Sequence, residues 1–293
     1  LGYLLLSASC SITIVVIFKL FDRYSINRYQ AIVFNYLICV ITGCLTLGAV
    51  PFEKNMITEP WFPIMIGLGF LFMGGFNLIS RTVTHFGMAV TSVAQRMSLG
   101  LSATFAILYY GEPYDVFKII GILLALSAVV FINIPDKKVK KTQEGDNQSS
   151  KWLILYPVSI FLVSSLIEIL LQYLHAVHEM KPANESIILF ANAGVVGMIG
   201  LIIFREKIKL KNIIGGIILG VPNYFSIYFM LNALDSGMDG SVVYSSCNII
   251  IVTGAALVGY LSFREHLSKL NMVGILLSIA AIVLIALSNM EII

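Results

Sequence analysis

Long apolar runs alternate with short polar breaks along nearly the whole chain. A membrane-spanning helix needs about 20 mostly apolar residues. Ten runs approach or exceed that length: 2–20, 31–50, 62–84, 88–110, 115–134, 152–177, 186–204, 212–234, 239–262 and 270–288. They are rich in Leu, Ile and Ala and lack the two-residue alternation of an outer-membrane barrel strand. The pattern predicts helices throughout. Most breaks are short, with turns expected around His85-Phe86-Gly87 and around Gly111-Glu112-Pro113. The stretch 135–151 differs: Lys137, Lys138, Lys140, Lys141, Gly145, Asn147 and Ser149 read as a flexible linker. The predicted organisation is a five-helix block at 1–134, the linker, and a second block at 152–293.

The two blocks share sequence. Glu112 lies nine residues before Gly121, which opens GILLALSAVV, and Glu265 lies nine residues before Gly274, which opens GILLSIAAIV. Gly87-Met88 and Gly237-Met238 each open the preceding run. Five is odd, so two related blocks in series must enter the membrane with opposite orientations. The expected fold is an all-α integral membrane protein of ten transmembrane helices, arranged as two inverted five-helix repeats. In such an architecture one half can rock against the other around a site near the midplane.

Composition agrees with this picture. The chain is 58% hydrophobic, its mean hydropathy is +0.91, and only 12% of residues are charged. Soluble domains carry about 25% charged residues. Lipid is the expected main partner, and a net charge of +3 gives no reason to expect nucleic acid. The first run lacks a basic leading segment and a small-residue cleavage site, so it reads as a span rather than a signal peptide. Cys10, Cys39, Cys44 and Cys247 lie inside apolar runs without metal-ligand spacing and read as small buried residues. Neither a metal nor a cofactor is expected.

Charge placement sets the expected orientation. Of 19 Lys and Arg, 15 fall on the side that holds the linker; the other side receives Lys54, Lys118 and Lys181. The positive-inside rule then places the linker in the cytoplasm and both termini outside, in a cell (inner or plasma) membrane.

The remaining basic residue, Arg96, lies about ten residues into its predicted span. A central Arg costs at least about 2.5–3.5 kcal/mol on insertion scales, so it should face a wet cavity or a partner. It is a candidate ligand-binding residue; the alternative is a buried ion pair or carbonyl clamp locking two helices. Glu168 is the one acid well inside a predicted span. It is a candidate for proton coupling, with a structural pair to Arg96 or a spectator role as the alternatives. Gln95, Asn77, Asn223 and Asn248 supply neutral polar groups at mid-span depth, with Gln172, Tyr224, Tyr228 and Tyr244. All but Gln172 are candidate substrate contacts, although each also suits an interhelical hydrogen bond. Tyr224 and Tyr228 share a helix face, and Pro222-Asn223 is expected to interrupt its span. Arg81 and His85 read as interfacial anchors, and Glu112 and Glu265 as structural helix ends. Gly121, Ala125 and Ala128, like Gly274, Ser278 and Ala281, form small-residue seams in spans five and ten. These seams serve either the chain itself or a homodimer. No catalytic motif is present: H-E-x-x-H, G-x-S-x-G and the Walker loop are all missing.

The doubled five-helix unit, with Gly111-Glu112 to Gly121 and Arg264-Glu265 to Gly274, resembles the drug/metabolite transporter superfamily in its EamA-like ten-span branch. The segment Ser92-Val93-Ala94-Gln95-Arg96-Met97-Ser98 looks like a subgroup with a basic residue at that point. The resemblance implies a non-enzymatic secondary transporter working by alternating access. Many ten-span relatives keep both termini in the cytoplasm, whereas the charges here argue the reverse. Arg96 favours a ligand with an anionic group, and Glu168 a proton or an amine, so the expected substrate is a small polar or zwitterionic, amino-acid-like metabolite. The alternatives are a lipophilic-cation exporter and a non-transporting membrane scaffold.

Overall fold

An apolar environment leaves backbone N–H and C=O groups no water to bond, so a chain of this composition satisfies them within helices. The computed structural model describes residues 2–52, 55–132, 155–178, 180–204, 207–263 and 269–291. Within them the chain forms α1 (Gly2–Arg23), α2 (Arg28–Leu47), α3 (Phe62–Arg96), α4 (Ser98–Tyr110) and α5 (Val116–Ile132). The later elements are α6 (Leu155–His178), α7 (Pro182–Phe204), α8 (Leu210–Asp235), α9 (Gly240–Phe263) and α10 (Lys269–Glu291). The described residues contain no strand. Among the described residues, five helices are long and apolar enough to cross a membrane: α2, α6, α7, α8 and most of α9. The linker 135–151, Arg264 and Glu265 lie outside the described residues.

Local chemistry sets several helix ends. The Asn27 side chain accepts from Gln30 N at 3.2 Å and caps α2. Gly48 ends that helix in the left-handed region at φ 69°, as Gly111 ends α4 at φ 65°.

Two expectations fail. The turn expected at 85–87 is absent, because α3 runs through it as one helix of 35 residues. A single Gly flanked by helix-tolerant residues is not a stop signal. The interruption falls instead at Met97, whose φ of −65° and ψ of −13° remain helical. Gly100 N donates to Met97 O, so the joint is a tightened turn rather than a loop. The second failure concerns Pro222, which sits inside α8 without ending it. Proline removes one N–H donor, but α8 continues on both sides of it.

The chain divides into two compact units that cut across its sequence halves: residues 1–77 with 170–238, and residues 78–169 with 239–293. In the first unit α2 packs on α7 and α8, and α1 packs on α8. Its core holds Phe21, Val33, Tyr36, Met73, Phe190 and Leu219. Gly216 and Gly220 let α8 approach the α2 backbone closely: a Cβ at Gly216 would stand 2.5 Å from Ala31 O. In the second unit α5 packs on α10, α4 on α9, and α9 on both α5 and α10. Ala125, Ala128 and Ala281 are buried there.

Candidate functional site

The second unit gathers the two charges that the sequence singles out. Arg96 ends α3, where a cation complements the carbonyl end of the helix. Its Nη1 donates to Asn248 Oδ1 on α9 at 2.6 Å. Asn248 Nδ2 in turn donates to Glu168 Oε1 on α6 at 3.1 Å. Ser98 Oγ donates to the same oxygen at 2.9 Å, and Ser102 Oγ donates to Glu168 Oε2 at 2.7 Å. Ser98 and Ser102 stand one turn apart at the start of α4, so that single turn holds both carboxylate oxygens of Glu168.

Asn248 bridges Arg96 and Glu168, and the described contacts include no direct ion pair between the two. The neutral members are sealed: Ser98, Ser102 and Asn248 are 0%, 1% and 5% exposed. Arg96 and Glu168 are only half-buried. An arrangement of this kind can offer a guanidinium to an anion and a carboxylate to a proton or an ammonium group. Ser98 and Ser102 were not among the expected site residues. Their i, i+4 spacing directly after Arg96 was the available signal, but serines at that spacing are ordinary in helices.

The other candidates are divided between the units. Gln95 is half-buried beside Arg96, and Tyr244 is 2% exposed on α9, four positions before Asn248. In the first unit Asn223 Nδ2 donates to Asn35 Oδ1 at 3.2 Å. Tyr224 stacks on Tyr228 with ring centroids 5.6 Å apart, and its buried hydroxyl has no hydrogen-bond partner. Gln172, also in the first unit, is buried. The side chains of Asn77, Arg81 and His85 lie outside what is described.

Two ionic clusters were missed. Lys118, counted from the sequence on the side away from the linker, is 0% exposed. Its Nζ donates to Asp239 Oδ2 at 2.8 Å and to Pro113 O at 2.9 Å, and lies 3.5 Å from Glu112 Oε2. Glu112 also accepts from Gly240 N at 2.8 Å and from the Ser241 N–H and hydroxyl. It therefore caps α9, a structural role as expected. The second cluster is Glu185 with His175. Glu185 was placed just ahead of a span beginning at 186, but α7 starts at Pro182 and buries it completely. Glu168 is therefore not the only acid inside an apolar helix.

An uncharacterized protein from Haemophilus influenzae is 30% identical over 284 residues, covering 95% of each chain. The chain belongs to that protein's family. No family model matches the sequence. A protein of known crystal structure superposes with a TM-score of 0.75 at 12% identity, covering 99% of this chain and 97% of its own. That likeness concerns the fold alone.

Proposed function

We propose that this chain is a secondary transporter of a small polar or zwitterionic, amino-acid-like metabolite, working by alternating access and coupled to protons. In this reading it has ten membrane spans in two inverted repeats, belongs with the EamA-like drug/metabolite transporters, and resides in the cell membrane. The observation that carries the proposal is the cluster of Arg96, Asn248, Glu168, Ser98 and Ser102. Opposite charges are held near each other without neutralising each other directly, among helices that are otherwise apolar. A buried charge cluster serving only as a helix lock would gain most from a direct ion pair. Interposing Asn248 leaves the guanidinium and the carboxylate each with capacity for a ligand. A zwitterion uses both.

The test is transport by purified protein in liposomes against a panel of amino acids, nucleosides and cations. We expect uptake of an amino-acid-like solute. Arg96→Lys should reduce that uptake, because Lys retains charge but loses the bidentate fork. Arg96→Ala should abolish it. Full uptake by the alanine variant would reduce Arg96 to a structural residue, and movement of lipophilic cations alone would replace the substrate class.

A further inference from the structure

Glu185 occupies the first turn of α7 in the first unit and is 0% exposed. Neither carboxylate oxygen has a hydrogen-bond partner. His175, in the last turn of α6, places its Nδ1 3.5 Å from Glu185 Oε2. That is ion-pair range but longer than a hydrogen bond. The His175 side chain is 15% exposed, whereas the Glu185 side chain is sealed.

An enclosed carboxylate without donors is costly in its ionised form, and the partial charge of a helix N-terminus offsets only part of that cost. One proton on the pair removes it. Imidazolium with carboxylate and imidazole with carboxylic acid carry the same net charge of zero. Loss of that proton would leave a negative charge with no counter-charge. Titratable groups toward the same end of the neighbouring elements are Cys44 on α2, Glu59 ahead of α3, Tyr173 and His178 on α6, Lys181 ahead of α7, and Tyr224, Tyr228 and Asp235 on α8. His175 is the one whose charge bears on Glu185.

We infer that His175 and Glu185 form a proton-binding site in the first unit, holding one shared proton with the imidazole as its route to water. The site does not depend on the transport reading: a chain that moved no solute would still titrate here.

The experiment measures apparent melting temperature from pH 5 to 9 for the full chain, Glu185→Gln and His175→Gln. Removing the shared proton leaves an enclosed carboxylate with no counter-charge, so wild-type stability should fall once the pH is high enough to take that proton. Glu185→Gln needs no proton and should flatten that fall, melting at least about 2 °C above wild type at pH 9. His175→Gln strands the carboxylate and should melt lower throughout the neutral range. Identical pH profiles for wild type and Glu185→Gln overturn the inference. If a variant fails to fold, replacing His85, His178 and His266 by Gln leaves His175 as the single histidine. Its nitrogen-15 NMR signal should then move with pH, and a signal constant from pH 5 to 9 also overturns the inference.

Discussion

Glu168 accepts hydrogen bonds from three neutral groups, Ser98, Ser102 and Asn248. This determines what its amide variant should do. In Glu168→Gln the carbonyl oxygen can keep the bonds from Ser98 and Asn248, and the Ser102 hydroxyl can turn to accept from the new amide. We expect the melting temperature to change by no more than about 4 °C, the effect of about 1 kcal/mol. Uptake driven by a pH gradient should be lost, while exchange of labelled substrate at equal pH survives. Unchanged pH dependence with a large fall in melting temperature would sink the proton-coupling role. The sequence made Arg96 and Glu168 conspicuous because each charge is unusual in an apolar run. It could not show that Asn248 lies between them, since that depends on how α3, α6 and α9 pack. Lys118 and Glu185 were not singled out for a related reason. Each lies near a helix end, where packing rather than sequence decides whether a charge is solvated or buried.

At the scale of elements, the contact of α2 with α8 depends on two glycines one turn apart. A Cβ at Gly216 would meet Ala31 O at 2.5 Å and Asn35 N at 2.9 Å, both backbone atoms that cannot turn aside. Gly216→Ala should therefore destabilise the protein by about 1–3 kcal/mol, typical of overpacking. Gly74 is the control. Nothing lies within 4 Å of its would-be Cβ, so Gly74→Ala should leave the melting temperature unchanged or raise it. Equal destabilisation by the two changes would refute a close α2–α8 approach. Helix ends were legible where a residue acts by itself, as Gly111 does. They were illegible around Gly87, because glycine weakens a helix without deciding whether the chain turns there.

At the scale of the whole molecule, the side expected to hold 15 of the 19 basic residues gives the proposed topology a direct check. In intact cells, Ser149→Cys should be shielded from impermeant thiol reagents if the linker is cytoplasmic. Ready labelling would reverse the orientation. The helical class was plain from hydropathy, whereas the composition of the compact units was not. Repetition along the sequence suggests two halves, yet each unit is assembled from pieces of both.

That interleaving also sets an order of events during synthesis. Arg96 leaves the ribosome 152 residues before Asn248. At 5–20 residues per second the delay is roughly 8–30 s. Throughout it, Arg96 lacks the amide that receives it in the finished protein. The nascent first half therefore emerges with an unmet need, which either a chaperone or the insertion machinery must cover until α9 arrives.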